Sequence, residues 1–173
     1  MNWTPLRAVF GRDTLRAGQV ASWLQIGPAL TGPAYLRLRL QGITHVVDLR
    51  DEDCDDPDEM DALDLRWRRL PVADGEAPTQ RQLDDLMRWL DAEADEVPDA
   101  VLYLHAATGQ GRAATVAVAL LMHQGHALAD ARRQVLEALP QAVPSAHQQE
   151  FLESLASRLG CAPVADLHAA GDG

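Results

Sequence analysis

The stretch Val101 to Gln124, VLYLHAATGQGRAATVAVALLMHQ, joins a short apolar run, a glycine-bearing turn and a long Ala/Leu/Val/Met segment. Val101 to Leu104 reads as a buried strand and Arg112 to Gln124 as a helix with few polar breaks. His105 to Gly111 is then a strand-to-helix loop. Glycine at 109 and 111 lets the backbone take positive φ and turn successive N–H groups toward one point, while the following helix adds its positive dipole end. Arg112 can fold back over the loop with a planar fork of donors that matches two oxygens of one phosphate. A glycine-flanked turn beside an arginine is common by chance, so the anion-binding reading depends on the neighbouring residues.

His105-x6-Arg112, with Gly109 and Gly111 inside it, resembles the His-Cys-x5-Arg signature loop of the cysteine-dependent protein tyrosine and dual-specificity phosphatases. The departure lies at position 106, which holds the nucleophilic cysteine in that family and is Ala106 here. Inward amides, a helix N-terminus and an arginine stabilise a thiolate, lowering a cysteine pKa from about 8.5 to roughly 3.5–7.5. The thiolate then attacks phosphorus to form a covalent phosphoenzyme. Ala106 has no lone pair to attack with, so the chain is expected to bind phosphate without turning it over. Two explanations stand: a natural pseudophosphatase, or a cysteine replaced deliberately so that a phospho-ligand survives. The second fits better with the other catalytic parts being present.

The resemblance assigns those parts by residue. Ala107, Thr108, Gly109, Gln110, Gly111 and Arg112 form the phosphate-binding loop, and His105 orders it by hydrogen bonding. Leu70 to Thr79, LPVADGEAPT, resembles the acid loop, with Asp74 at the family's aspartate position and Glu76 as the alternative. Such a group is needed because the leaving oxygen requires a proton as its bond to phosphorus breaks. Arg112 is followed by Ala113, where most relatives have Ser or Thr, which implies slow breakdown of a phosphoenzyme. Thr115 is two residues round the helix and points elsewhere. No metal and no cofactor is implied.

Upstream, Val20 to Ile26 has strand character before the Gly27-Pro28 turn, and Pro33 starts a helix with Leu36 and Leu40 on one face. Ile43 to Leu49 is a buried strand. Arg50 to Asp64, RDEDCDDPDEMDALD, reads as a solvated acidic loop leading into a short helix at about 57–63; it lacks the spacing and the glycine of an EF-hand. Arg66 to Val72 is an edge strand. Thr79 and Gln82 form a capping box for a helix with Leu83, Leu86, Met87 and Leu90 on one face, ended at Val97-Pro98. Leu128 to Leu139 and a segment capped by Pro144-Ser145 and running to Leu159 are the last helices. His45, His123, His126, His147 and His168 have no site-like setting, and Cys54 and Cys161 sit in no metal-ligand pattern.

The length, 173 residues, suits one domain that buries about two thirds of its unfolded surface. The expected fold is a single α/β domain, a mixed sheet of four or five strands with helices on both faces. The catalytic domain spans 1–159, with the resemblance strongest over 22–158; residues 1–18 are an extended lead-in and 160–173 a disordered tail. A net charge of −11 disfavours nucleic acid as partner. All 15 basic residues are arginine, the mark of GC-biased, bacterial-type coding. No cleavable leader and no membrane-spanning run is apparent, so a cytoplasmic monomer acting on a phosphorylated protein is expected. Phosphotyrosine is favoured; an inositol phosphate or a small phosphometabolite is the alternative.

Overall fold

The computed structural model describes residues 17–160. The lead-in up to residue 16, the tail from 161, Cys161 and His168 lie outside them. Five strands form one sheet in the order β1-β2-β5-β3-β4: Gly18–Ala21, Leu24–Pro28, Leu102–Ala106, His45–Arg50 and Arg66–Val72. Only β1 runs antiparallel; β2, β5, β3 and β4 are mutually parallel. β5 is therefore central, with Gly27 of β2 and Asp48 of β3 both paired to His105.

The helices are α1 (Pro33–Leu40), α2 (Pro57–Ala62), α3 (Gln80–Glu96), α4 (Arg112–His123), α5 (Leu128–Ala138) and α6 (Ala146–Leu159). One core packs α3, α4, α5 and α6 against the sheet through residues such as Leu24, Val47, Leu86, Leu104, Leu120 and Leu152. The opposite face holds a smaller core of Tyr35, Leu38, Ile43, Val46, Met60, Leu65 and Tyr103. Every residue of α4 from Arg112 to Met122 is buried. Burying a Val or Leu side chain contributes roughly 1.5–3 kcal/mol, so this helix anchors whatever loop precedes it.

Several sequence expectations need correction. The segment read as one strand from Val20 to Ile26 is a hairpin, β1 and β2, with a turn at Ser22-Trp23. β5 runs on through His105 and Ala106, which places the histidine in the sheet and not in the loop. In α1 the buried residues are Tyr35 and Leu38, while Leu36 and Leu40 are exposed. Apolar spacing alone did not separate the two faces of a helix this short.

Candidate active site

The loop after β5 is shaped by two close approaches. Gly109 has φ of +76°, and a Cβ there would lie 2.5 Å from the Gly27 backbone carbonyl, so no side chain fits. Ala29 N–H donates to Ala106 O at 2.7 Å and Val143 N–H to Gln110 O at 3.0 Å, pinning the loop at both ends. Between these ties the amides of Ala107, Thr108, Gly109 and Gly111 donate to no backbone acceptor among the described residues. A run of uncommitted N–H groups leading into a helix N-terminus is an anion site in waiting.

Arg112, the first residue of α4, is buried, yet its guanidinium emerges at the loop. Nη1 donates to Glu52 Oε2 at 2.7 Å and to Val72 O at 2.9 Å, and Nη2 donates to Glu52 Oε1 at 2.8 Å. The bidentate carboxylate and the carbonyl fix the plane of the fork. Nε bonds to no acceptor among the described residues, which leaves the Nε side of the fork for a ligand oxygen. Hydrogen bonding from Arg112 holds the Glu52 carboxyl well below the usual carboxylate range, and the same contact raises the Arg112 pKa.

Asp74 lies 3.4 Å from Arg112 Nη2, on the same side of the molecule as the loop. It occupies the tip of a turn that Glu76 N–H closes onto Ala73 O at 3.0 Å, with Gly75 at φ +79° in the third place. Its side chain is 92% exposed, free to meet a ligand. Glu76 instead turns toward His147, its Oε1 3.0 Å from Nδ1.

Beneath the loop is a buried polar centre. His105 Nε2 donates to Asp55 Oδ2 at 2.7 Å, and Tyr35 OH donates to Asp55 Oδ1 at 2.6 Å. Arg50 donates through Nε and Nη2 to Asp48 and through Nη2 to Asp55 at 2.9 Å. Asp48, Asp55 and His105 bring their ligand atoms within 4.8 Å of one another, a spacing that suits a cation, and the Arg50 guanidinium already serves as that cation. Burial alone would raise the Asp48 pKa, but hydrogen bonding from Arg50 and the charge of His105 lower it. Burial first, then the bond to Asp55, pushes the Tyr35 hydroxyl far above its usual value. His105 bonds downward to this centre and to no loop residue among those described, so any order it gives the loop is indirect.

The expectation of a solvated loop over 50–64 fails for Arg50 and Asp55, which are buried, and misses the bidentate contact that exposed Glu52 makes with Arg112; Glu52 and Asp55 are the site residues it overlooks. Both follow the carboxyl end of β3, where open α/β sheets bind ligands, and that position was the available signal. Ala113 is buried and offers no hydroxyl, while Thr115 Oγ1 donates back to Gly111 O at 2.9 Å. His45 is a satisfied core histidine, with Nε2 3.2 Å from Glu93 Oε2. Cys54 is exposed. No helix among the described residues is long and apolar enough to cross a membrane.

Comparison with known proteins agrees with this fold. Tk-PTP in its active form shares 27% identity over 83% of this chain and 97% of that one, with a TM-score of 0.72. Human DUSP28 shares 25% identity over 86% and 97%, with a TM-score of 0.68. PTPMT1 in complex with PI(5)P, at 18% identity, 83% and 96% coverage and a TM-score of 0.71, shares the fold. A search among curated proteins finds no match. Residues 22–126 match the Tc-R-P model, described as polymorphic toxin system, DSP-PTPase phosphatase, and the chain belongs to that family.

Proposed function

We propose that this domain is a phosphomonoester hydrolase of the tyrosine/dual-specificity type, built to work through a cysteinyl phosphate, and that Ala106 leaves it able to bind but not to cleave. The observation that carries this reading is the meeting of three parts from distant segments: the amides of Ala107, Thr108, Gly109 and Gly111 with no backbone acceptor among the described residues, the oriented fork of Arg112, and Asp74 within 3.4 Å of that fork. With cysteine at 106, the thiolate attacks phosphorus as the P–O bond to the leaving group breaks, and Asp74 gives its proton to the leaving oxygen. Asp74 then takes a proton from water as that water attacks phosphorus and the thiolate departs. Arg112 and the loop amides stabilise the equatorial oxygens throughout.

A phosphorylated protein side chain, phosphotyrosine first, is the favoured substrate. Asp51, Glu52 and Asp74 all lie within 4 Å of Arg112, so the mouth repels a polyanion. The preserved arginine clamp and poised acid support a deliberately replaced cysteine over a lineage released from catalysis.

The test is Ala106→Cys, assayed side by side on phosphotyrosine peptides, phosphoserine peptides and inositol phosphates. Turnover of the tyrosyl peptide is expected. Binding without turnover by Ala106→Cys would leave the pseudophosphatase reading, in which the loop shields a phosphorylated partner.

A further inference from the structure

Beyond its 3.4 Å approach to Arg112 Nη2, the Asp74 side chain does not anchor its loop; the loop is held through its backbone. Two helices start with capping boxes of the same design, Thr79 with Gln82 in α3 and Ser145 with Gln148 in α6. In each box the glutamine Oε1 accepts the N–H of its capping residue, at 2.9 Å in both. That leaves each carboxamide an Nε2 donor, and both point at the segment carrying Asp74. Gln82 Nε2 donates to Pro71 O at 2.8 Å, on the entering side, and Gln148 Nε2 donates to Glu76 O at 2.8 Å, on the leaving side. Ser145 Oγ adds a bond to Gly75 O at 2.5 Å.

Gln148 reaches further. It is 1% exposed, and a Cβ on Gly111 would lie 3.1 Å from its Oε1, so its carboxamide packs directly on the end of the phosphate loop. One buried side chain thus touches both loops of the site. A glutamate at the third position would cap either helix equally well and suit the dipole better, but it has no donor to give. The capping requirement alone therefore does not account for glutamine at both places.

We propose that Gln148, assisted by Gln82, is a positioning residue that braces the Asp74 loop against the phosphate loop and so fixes the distance over which the leaving group is protonated. This rests on the phosphatase reading above, with Asp74 as the acid.

The decisive variant is Gln148→Glu, which keeps the cap acceptor and replaces the donor with an oxygen facing the Glu76 carbonyl. The first arm uses the chain with Ala106 and needs no turnover. Amide hydrogen exchange over residues 73–77 should speed up by about tenfold or more in Gln148→Glu, beyond any change in the amides of α4, which report global opening. Unchanged exchange would overturn the brace. The second arm places Gln148→Glu in the Ala106→Cys background and compares aryl phosphates with good and poor leaving groups. A brace on the acid predicts a fall in kcat of about 10- to 100-fold for the poor leaving group, little change for the good one, and an unchanged KM. An equal loss for both would assign Gln148 a merely structural role. Gln82→Glu should show the same selectivity more weakly, and Gln148→Asn, which keeps a donor, should lose less than Gln148→Glu. Absence of turnover from Ala106→Cys alone would count against the phosphatase reading, while the exchange arm would still decide the brace.

Discussion

Two sets of acids flank the end of β5, and they are held in opposite ways. Below the loop, Asp48 and Asp55 are buried and fully engaged by Arg50, His105 and Tyr35. Above it, Asp74 and Glu76 stand largely in solvent, each with a single side-chain partner, Arg112 Nη2 at 3.4 Å and His147 Nδ1 at 3.0 Å. The lower set is a charge-balanced footing in which removal of one partner leaves another uncompensated in a low-dielectric setting. In the upper set the Asp74 carboxylate is 92% exposed and held only by a long contact to Arg112, which leaves it able to exchange a proton with a ligand. Arg112 spans the two levels: its buried stem belongs to α4 and its fork touches Glu52, Val72 and Asp74.

That contrast can be broken at four points, taken from the largest effect down. Arg112→Ala removes the only guanidinium the loop offers; in the Ala106→Cys background, kcat/KM for an aryl phosphate should fall by about 10³-fold or more. A near-normal enzyme would refute the site. Asp48→Asn attacks the footing, and thermal or denaturant unfolding should show a loss of about 3 kcal/mol at neutral pH. The pH dependence of that loss has a definite sign. The folded pKa of Asp48 is depressed, so its contribution is fully present above the unfolded value of about 3.9 and disappears as pH falls through the folded value. Stability of the parent should drop more steeply than that of Asp48→Asn on acidification below about pH 4.

Asp74→Asn should leave stability unchanged, because its side chain is exposed, and lower kcat for poor leaving groups by about 10²-fold. Loss of stability without loss of selectivity between leaving groups would invert the comparison. Glu52→Gln keeps the shape but weakens the charge-assisted pair; phosphate-analogue affinity, measured by calorimetry, should fall by about tenfold as the fork loses its fixed plane. An unchanged affinity would show that Val72 O alone suffices to orient Arg112.

The sequence made the upper level far more legible than the lower. Gly109, Arg112, Asp74 and the Thr79–Gln82 capping box announce themselves through local backbone chemistry or through a short motif; Gly111 does not follow the expected positive φ, lying at −104°, and the Ser145–Gln148 box goes beyond the simple cap expected there. Asp55 carries no such mark. Its burial beside His105 follows from the pairing of β3 with β5, a contact 50 residues apart in the chain, and the same acidic run reads just as well as a solvated loop. Glu52 was hidden for the same reason, although its position after the carboxyl end of β3 was a usable pointer. The split of Val20 to Ile26 into two strands was obscured because the turn at Ser22-Trp23 contains neither glycine nor proline. The faces of α1 were misassigned because its burial is set by Tyr35 over the Asp55 centre.

The central claim is that residues 107–112 form a cradle for a tetrahedral dianion, and titration of the chain, Ala106 in place, with a phosphotyrosine peptide tests it most directly. Followed by amide NMR, saturable shifts should concentrate at Ala107 to Arg112 and vanish in Arg112→Ala. Shifts centred elsewhere, or binding indifferent to Arg112, would contradict it.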